Sequence, residues 1–526
     1  MSKGTYSFTT PIYYVNAAPH LGTAYTTVAA DTVARYQRMN GYDVAFVTGL
    51  DEHGQKVAEV AEKNGMTPLA WCDSMEPKFR DAWNMLDITY TDFVRTTEPR
   101  HARTVQKFWT DLYEKGYLYK GAYEGWYCVH EETYYAESDL EKNEDGVFVC
   151  PDCKRPVQQA SGEENWFFKL SDFEDKLLAF YDENPDFIRP ETRKNEIVSF
   201  VKSGLKDLSI SRSTFDWGVP LPFDEGHVAY VWADALLAYI TGIGYADPER
   251  EGEFDERWPM QYHFVGKDII RFHCVIWPAM LMAAGLPITH TVFGHGFLLT
   301  KGEKMSKSKG NVLLPEDLVK VFGVDAYRYY FMSDVQFGHD GSISVERMVQ
   351  VYNADLANTW GNLCSRVFNM TKKYFDSKVP EAPASAAENP LREIADELYA
   401  EYDRCMGLVD FSGAAAAVQK LAGRVNLYVE ESAPWNLAKS EETADELAAV
   451  IYNALEAIRI IALYMAPFMP NTSAEVFKRL ALGDITTVDD IEAATAWGQL
   501  PAGNAVETGD PLFPRLDVEA IDFGVE

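Results

Sequence analysis

Apolar residues in the first 115 positions recur alternately at strand spacing and at helix spacing. Residues 6–10 alternate as a strand does, and residues 43–48 form a second short apolar run. Between them, apolar or small side chains from Tyr25 to Tyr36 recur at i, i+3, i+4, i+7, i+8 and i+11, which predicts a helix over 22–39. Strands that alternate with helices predict an α/β domain around a parallel sheet.

The pattern changes twice along the rest of the chain. Residues 116–170 are rich in Tyr and Trp, and 171–230 predict strands and loops. From about 345 to 480 the apolar spacing is helical throughout. The predicted architecture is a Rossmann-type, doubly wound parallel sheet with a small inserted knuckle domain, followed by an all-α helical bundle. The predicted bounds are 1–115 with 225–345 for the sheet, 116–224 for the insertion, and 346–526 for the helical domain and tail.

Composition describes an ordinary globular protein with an unusual charge. The chain has 526 residues, 47% of them hydrophobic and 13% aromatic, which is enough for several domains with cores. The seven cysteines are odd in number, which favours a reducing cytoplasm over a disulfide framework. We find no apolar run of membrane-spanning length and no signal-peptide pattern, and we expect no membrane partner. The net charge of −32 argues against a nucleic-acid partner unless a local basic patch makes the contact.

A first anion-binding signal lies where the first strand passes into the first helix. His20, Gly22 and Thr23 occupy the predicted helix N-terminus, where free N–H groups and the positive dipole end attract a phosphate. Gly22 would let a nucleotide approach the backbone, and His20 can donate a hydrogen bond. The alternative is a capping turn with a surface histidine.

A second signal is the lysine loop, which we define as residues 300–311. It carries Lys301, Lys304, Lys307 and Lys309 with one glutamate, inside a chain that is strongly acidic. Two glycines flank these lysines and let the backbone turn. Ammonium groups beside small hydroxyls suit a polyphosphate. The alternative is a solvated basic loop.

Further candidates lie beyond the carboxyl ends of predicted strands, where open parallel sheets bind ligands. Asp51 follows the second strand, although it could instead cap the helix that begins near Gln55. A predicted helix over 230–239 and the helix after 262–265 each carry an apolar stripe, which would either pack in the core or line a small apolar pocket. The stripe residues are Trp232, Ala235, Leu236, Tyr239, Ile269, Phe272 and His273.

Two other patterns indicate a metal and a base-reading surface. Cys128, Cys150 and Cys153 have knuckle spacing for zinc, with Glu131 or His130 as a fourth ligand, and the alternative is a metal-free remnant. We expect a structural role for this site in either case. Asn358, Asn362 and Arg366 form one polar ridge at i, i+4 and i+8, and Trp435 could stack on a base. An exposed helix face is the commoner explanation of such a ridge.

The two anion-binding signals together carry a family resemblance. His20-Leu21-Gly22-Thr23 is similar to the HIGH signature, and Lys304-Met305-Ser306-Lys307-Ser308 matches the KMSKS signature, which together mark class I aminoacyl-tRNA synthetases. Residues 11–16, 51–54, 230–235, 266–269, 272–279, 433–435 and 511–516 further resemble methionyl-tRNA synthetases of the bacterial short type. The resemblance covers nearly the whole chain.

The resemblance implies a role for each matching residue. Asp51 would bind the methionine ammonium, and the thioether slot would be formed by Ile12, Tyr14, Trp232, Ala235, Leu236, Tyr239, Ile269, Phe272 and His273. ATP would be bound by His20, Gly22, Thr23, Asp268, Gly294, His295, Lys304, Met305, Ser306 and Lys307, of which His20, Thr23, Lys304 and Lys307 would be catalytic. The anticodon face would consist of Asn358, Asn362, Arg366 and Trp435. The chain departs from the family pattern at Thr23 (usually His), Leu236 (Pro in some relatives) and Glu131 (often Cys).

The resemblance also implies a reaction and partners. The chain would activate L-methionine with ATP and Mg²⁺ and transfer the methionyl group to tRNA(Met), as a cytoplasmic monomer with an optional structural Zn²⁺. The nearest alternative is a class I synthetase for another aliphatic amino acid, although those carry a large editing insertion and the insertion here is small. A nucleotidyltransferase without tRNA would not explain the helical domain, and the lysine loop argues against a non-catalytic RNA-binding module.

Overall fold

The structure is a computed structural model that describes residues 3–129, 133–135, 137, 140–143, 145–151, 153–300, 303–304, 313–387 and 389–521. Along these residues the strands are β1 Thr5–Tyr14, β2 Asp43–Asp51, β3 Asp92–Arg95, β4 Leu118–Cys128, β5 Thr133–Tyr135, β6 Glu141–Lys142, β7 Phe148–Val149, β8 Gln158–Phe168, β9 Ile188–Arg189, β10 Leu208–Ser209, β11 Ser211–Arg212, β12 Pro220–Leu221, β13 Asp224–Ala229, β14 Tyr262–Gly266, β15 Thr291–His295, β16 Leu298–Thr300, β17 Glu303–Lys304 and β18 Gly341–Ile343. The α-helices are α1 Leu21–Met39, α2 Gln55–Lys63, α3 Pro68–Met85, α4 Pro99–Glu114, α5 Glu174–Glu183, α6 Glu191–Lys202, α7 Val231–Ala235, α8 Ala238–Thr241, α9 Glu253–Arg257, α10 Trp277–Ala284, α11 Pro315–Phe322, α12 Val324–Ser333, α13 Val345–Val351, α14 Asn362–Phe375, α15 Pro390–Gly407, α16 Phe411–Ser432, α17 Pro434–Leu437, α18 Ala444–Met465, α19 Pro470–Arg479 and α20 Ile491–Ala494.

A six-stranded sheet in the order β3-β2-β1-β14-β15-β9 organises the first part of the chain. Every neighbouring pair in it is parallel. After β1, the chain adds β2 and β3 on one side of that strand, and it later adds β14 and β15 on the other side. The switch point therefore lies between β1 and β14, and the crevice at their carboxyl ends is where such sheets bind ligands. The predicted doubly wound sheet is confirmed.

Strand β1 is longer than the alternating pattern predicts. It continues past Pro11 to Tyr14, because its register against β2 shifts between Thr9 and Ile12. A proline has no N–H to donate, so an irregularity at this point lets the ladder resume beyond it. After the shift, Tyr14 pairs with Asp51, and both strands end at the same level.

The insertion contains two helices that the sequence pattern missed. Strands β4 and β8 form a long antiparallel pair in a four-stranded sheet. Helices α5 and α6, however, lie where we expected strands and loops, so that expectation was wrong. Each helix buries just two residues, Leu177 with Tyr181 and Ile197 with Val201, which is too short a stripe to identify a helix from spacing. Between them, β9 joins the edge of the parallel sheet beside β15.

Helix α18 forms the centre of the helical part. It is buried from Leu447 to Met465 except for Ala448, with the other long helices around it. The segment Glu441–Met465 is apolar and long enough to cross a membrane by composition, which corrects our expectation that no run reaches that length, but 94% of its apolar window is buried inside the fold. A core helix of this kind meets the same length criterion as a membrane span.

One buried arginine joins the two parts of the molecule. Arg328 on α12 is fully buried and pairs with Asp31 on α1 at 2.7 Å. The same guanidinium donates to the carbonyl oxygens of Pro467 and Phe468, which follow α18, at 3.0 and 3.1 Å. Burial alone would raise the pKa of Asp31, but Arg328 and Arg35 lower it to about 2. Helix α1 is therefore fixed to the helical part through a charged contact inside the core.

Candidate active site

The turn before α1 is a helix cap at the exposed residue His20, where sequence analysis predicts an anion site. The Nδ1 atom of His20 accepts hydrogen bonds from the backbone N–H groups of Gly22 at 3.0 Å and Thr23 at 3.4 Å. In return, the Thr23 hydroxyl oxygen accepts from the His20 N–H at 3.0 Å, which completes a capping box. The capping alternative is thus present in the structure. Because Nδ1 accepts, a neutral His20 ring carries its proton on Nε2.

Gly22 makes this arrangement possible. A Cβ atom added there would lie 3.0 Å from Cε1 and 3.1 Å from Nδ1 of His20. A Cβ atom at position 22 would therefore crowd the imidazole and make it shift by a few tenths of an ångström. The glycine leaves room for the ring in its capping position.

His295 connects α1 to the strand that leads to the lysine loop. Its Nδ1 donates to the Gly296 carbonyl at 2.9 Å, so Nε2 accepts from the Thr26 hydroxyl at 2.6 Å. Burial lowers the pKa of His295, which keeps the ring neutral in this arrangement. Both ring nitrogens are engaged within the protein, so the predicted contact of His295 with ATP would require one of these bonds to be replaced.

The lysine loop begins close to this connection. Strands β16 and β17 form an antiparallel pair in which Lys304 lies opposite Leu299. Leu299 is four residues after His295. Four residues span at most about 14 Å, so the Lys304 backbone lies at the same edge of the sheet as α1. Met305, Ser306, Lys307 and the Lys304 side chain lie outside the described residues.

Two more predicted ATP residues follow the neighbouring strands. Asp268 is exposed in a short 3₁₀ turn directly after β14. Gly294 lies in β15, where an added Cβ would come within 2.5 Å of Cδ1 of Ile270. The glycine allows β15 to pack against the segment that carries Asp268. Both residues lie at the carboxyl edge, beside the switch point.

The predicted ammonium site and slot wall start on the adjacent strands β1 and β2. Asp51 is 3% exposed at the end of β2, next to Tyr14 in register. Ile12, Tyr14, Ile269 and Phe272 are partly buried and pack against one core cluster that contains Trp232, Leu236 and Tyr239. The Asp51 carboxylate is close enough to Tyr239 to be one cause of that phenol's raised pKa, after burial. The structure thus brings Asp51 and the slot residues together.

The aromatic part of the slot is stacked. The Trp232 and Phe272 rings lie 3.7 Å apart at 11°. Within the part of the chain that the structure describes, Nε1 of the buried Trp232 has no hydrogen-bond partner. Phe272 begins a π-helical segment, Phe272–Ile276, and the predicted helix over 230–239 is interrupted between α7 and α8. Such irregular turns often occur at functional sites, because they change the direction of a side chain.

Tyr239 and His273 form a fully bonded pair beneath this stack. The His273 Nδ1 donates to the Ile269 carbonyl at 2.9 Å, and Nε2 accepts from the Tyr239 hydroxyl at 2.6 Å. Burial lowers the pKa of His273 to about 4, so the ring is neutral near neutral pH. The slot therefore presents a neutral surface, with Ala235 buried alongside. A neutral, polarizable wall suits an apolar or sulfur-containing side chain.

A buried acid in this region was not among the residues predicted from the sequence. Asp234 on α7 accepts from His53 at 2.6 Å and from His101 at 2.8 Å, and all three side chains are buried. Burial would raise the pKa of Asp234, but the two imidazoles lower it to about 2. An acid inside an apolar helix is rarely unpaired, which was the available signal. The identity of its partners depends on contacts between distant segments that spacing does not reveal.

The cysteine cluster has the geometry of a thiolate metal site. The sulfur atoms of Cys128, Cys150 and Cys153 all lie within 4.8 Å of one another, and those of Cys128 and Cys153 are 3.6 Å apart. Two sulfurs bound to one tetrahedral zinc at about 2.3 Å lie about 3.8 Å apart, so the donors fit the ion. Glu131 and His130 lie outside the described residues.

The predicted anticodon face is distant in sequence and different in character. Asn358 and Asn362 are exposed, and Arg366 pairs loosely with Glu430 at 3.5 Å. Asn358 lies in a second π-helical segment, Tyr352–Gly361. Residues in this segment do not follow the 100° step of an α-helix, on which the predicted ridge from Asn358 to Asn362 depends. Trp435 is 43% exposed and follows Glu430 after the end of α16, which places it near Arg366.

Comparison with known proteins identifies the class. Residues 6–368 match the family described as tRNA synthetases class I (M). Residues 379–522 match the anticodon binding domain of methionyl tRNA ligase. Together with the parallel sheet and the HIGH-like turn, these matches define the chain as a class I aminoacyl-tRNA synthetase.

Its relatives define the branch within that class. The chain is 48% identical over 520 residues to the methionine–tRNA ligase of Caldanaerobacter subterraneus subsp. tengcongensis, covering 98% of this chain and 80% of the relative. It is 49% identical over 525 residues to that of Streptomyces coelicolor, covering 97% of each. The Mycobacterium tuberculosis methionyl-tRNA synthetase in complex with methionyl-adenylate matches with a TM-score of 0.92 at 40% identity, over 97% of this chain and all of that one. The chain belongs to the methionyl-tRNA synthetase family.

Proposed function

We propose that this chain is a methionine–tRNA ligase. It activates L-methionine with ATP to methionyl-adenylate, releases pyrophosphate, and transfers the methionyl group to the 3′ end of tRNA(Met) for initiation and elongation of translation. The observation that carries this proposal is the position of the His20 turn, the Lys304 hairpin and the Asp51 slot at one carboxyl edge of the parallel sheet. A nucleotide and a small amino acid could react there side by side.

In the activation step, the methionine carboxylate attacks the α-phosphate of ATP in line and pyrophosphate leaves. ATP enters as its Mg²⁺ complex, so the ion is part of the substrate. We assign the phosphates to His20 and Thr23 at the α1 N-terminus and to Lys304 and Lys307, and the ribose to Asp268. Catalysis is positioning plus stabilisation of the charge that develops on the phosphates, and no side chain becomes covalently attached.

Methionine binding uses two chemically different parts of the site. The buried Asp51 carboxylate pairs with the substrate ammonium, since an opposite charge at close range favours both ionised groups. The thioether enters beside the stacked Trp232 and Phe272 rings, where sulfur–aromatic contacts contribute about 0.3–1.5 kcal/mol each. The neutral Tyr239–His273 pair closes this end of the slot.

The transfer step brings in the tRNA. Attack on the adenylate by a hydroxyl of the terminal adenosine releases AMP. We assign recognition of the CAU anticodon to Asn358, Asn362 and Arg366, with Trp435 as a stacking platform. Amide and guanidinium groups can pair with base edges, and an indole can stack on any base. The exposure of Asn358, Asn362 and Trp435 supports this assignment.

Three further assignments follow the same resemblance. We propose that Cys128, Cys150 and Cys153 hold a structural Zn²⁺, which would stabilise the knuckle without entering the reaction. We also propose that the chain acts as a cytoplasmic monomer, and its seven free cysteines fit a reducing compartment. We propose the same domain bounds as before: 1–115 with 225–345 for the sheet domain, 116–224 for the insertion, and 346–526 for the helical domain and tail. Elemental analysis for zinc and light scattering for molecular mass test the first two assignments.

The test of the reaction is amino-acid-dependent ATP–pyrophosphate exchange. We expect exchange with methionine and none with leucine, isoleucine or valine, followed by charging of tRNA(Met). Exchange with leucine and not methionine would establish a different aliphatic synthetase. Absence of exchange with every amino acid would leave a nucleotidyltransferase or an RNA-binding protein.

The lysine loop has its own test. Lys307→Ala should lower exchange by about 10²–10³-fold, the usual cost of one charge-stabilising contact, while methionine binding stays largely intact. Lys320→Ala is the matched control, because that lysine is exposed on α11 and pairs with Asp317 at the surface. Equal loss of exchange and methionine binding in Lys307→Ala would show that the loop is structural.

A further inference from the structure

The Asp234 cluster joins two elements that meet at the methionine site. Asp234 lies on α7, next to Ala235 and two residues after Trp232. Its Oδ2 is 2.6 Å from Nδ1 of His53, and its Oδ1 is 2.8 Å from Nε2 of His101. A carboxylate can only accept, so both imidazoles donate to it. The cluster is built into the interior, since Asp234 and His101 have no exposed surface.

His53 belongs to the loop that follows β2 and carries Asp51. Two other contacts hold the same loop. The Trp217 indole donates to the Glu52 carbonyl at 2.6 Å, and the Glu52 carboxylate pairs with Arg95 at 2.8 Å. These contacts fix the backbone of residue 52. The His53–Asp234 bond instead ties the loop directly to the helix that forms the slot wall.

We propose that Asp234 is a positioning residue, which acts through His53 to hold Asp51 at a fixed distance from the thioether slot. The proposal rests on the function proposed above for Asp51. An α-amino acid must place its ammonium and its side chain at once, so the spacing between the two subsites decides how well both are bound. If the correct groups are held loosely, the site loses affinity, because part of the binding free energy is then used to order those groups.

The test is methionine-dependent exchange by the full chain carrying Asp234→Asn. An asparagine cannot accept from both imidazoles, so the tie to His53 or to His101 is weakened. We expect KM for methionine to rise about tenfold, with kcat and KM for ATP within about twofold of the wild type, the pattern of lost substrate binding. His227→Asn is the control, because His227 is another buried histidine beside an aspartate, at 3.5 Å from Asp224 on β13.

A methionine analogue without the amino group separates positioning from general damage. Inhibition of exchange by 4-(methylthio)butanoate, which keeps the carboxylate and thioether, should be the same in the wild type and in Asp234→Asn. If kcat falls, both KM values rise and analogue binding weakens to the same extent, Asp234 has a structural role and not a positioning role. An unchanged KM for methionine would also overturn the proposal.

Two companion variants keep the result interpretable. Asp51→Asn is measured in parallel. If it leaves KM for methionine unchanged, the role assigned to Asp51 is wrong. If KM for methionine rises in Asp51→Asn but not in Asp234→Asn, only the positioning role of Asp234 is refuted. If Asp234→Asn does not fold, His53→Gln replaces it, because Asp234 then keeps His101 as a partner. The same rise in KM for methionine is expected from His53→Gln, and its absence would count against the proposal.

Discussion

The proposed thioether slot and the proposed anticodon face are built in opposite ways. The slot is assembled from separate elements, and its polar groups are buried and paired. Tyr239 pairs with His273, and the neighbouring Asp234 pairs with His53 and His101. The anticodon face presents the exposed Asn358 and Asn362 and the partly exposed Arg366, with Trp435 added from α17. Its one described ion pair is a loose surface contact between Arg366 and Glu430.

This difference follows from the size of the ligand. A small amino acid offers few contacts, so the protein gains affinity by fixing each group before the ligand arrives. A tRNA offers a large surface, so exposed side chains can adjust to it and contribute mainly through stacking and base edges. Substitutions in the slot should therefore affect activation and stability, whereas substitutions on the anticodon face should affect charging alone.

The largest effect should come from Asp51. We expect Asp51→Asn to lower kcat/KM for methionine by about 10²–10³-fold, because removing one member of a buried charge pair costs several kcal/mol. ATP–pyrophosphate exchange measures this directly. Asp43→Asn, at the exposed start of the same strand, is the matched control. A change of less than about threefold would remove Asp51 from the ammonium site.

Trp435 should show the reverse pattern. Loss of one stacking platform costs about 1–3 kcal/mol, so Trp435→Ala should reduce kcat/KM for tRNA(Met) in charging by about 10–100-fold. Exchange without tRNA should be unchanged. Trp435→Phe should recover part of the charging rate, since a smaller ring still stacks. Equal losses in both assays would contradict the separation of the two regions.

The cap at His20 should give a smaller effect that involves both stability and ATP. In Gly22→Ala the new methyl would crowd the imidazole and weaken its cap bonds. We therefore expect an unfolding free energy about 1 kcal/mol lower than the ordinary effect of alanine for glycine in a helix would give, together with a several-fold higher KM for ATP. Urea unfolding and exchange measure the two quantities. Gly423→Ala on α16, where an added Cβ meets nothing within 4 Å, gives that ordinary effect, a gain of about 0.5–1 kcal/mol, and should not change KM for ATP.

The smallest effect concerns pH. His273 has a pKa of about 4 when folded, against an ordinary value near 6.5, so the unfolded chain binds the extra proton first as pH falls. Its contribution to stability is complete above about pH 6.5 and is lost as pH falls towards 4. The gap in unfolding free energy between the wild type and His273→Gln should therefore narrow by about 1 kcal/mol from pH 7.5 to 5.5. The difference in unfolding free energy between the wild type and Trp435→Ala should stay constant over the same pH range. If the difference for His273→Gln widened as pH falls, His273 would be charged in the native state.

Local spacing was enough to predict the elements that carry the site. The parallel sheet, α1 and the strand before Asp51 were all expected from alternation and helical periodicity. The extension of β1 past Pro11 and the π-helical turns at Phe272 and Asn358 were not, because they depend on pairing and packing with distant segments. Helices α5 and α6 were missed because each buries too few residues to mark a face.

The signatures identified the family, but not the contacts that hold them. His20 was recognised from its neighbours in the chain, whereas its bond pattern as a cap required the backbone geometry. The partners of Asp234 lie 133 and 181 positions away, beyond the reach of any periodic pattern.

Arg328 limits how this enzyme could exchange parts with its relatives. Its guanidinium is shared between Asp31 on α1 and the Pro467 and Phe468 carbonyls of the helical part. A helical part grafted from another synthetase would have to present the same two carbonyls, or the fusion would leave guanidinium N–H groups of Arg328 buried without acceptors, at a cost of about 1–3 kcal/mol for each. Chimeras and domain libraries should therefore carry residues 324–333 together with 466–469 from one parent, since the joint is inherited as a unit.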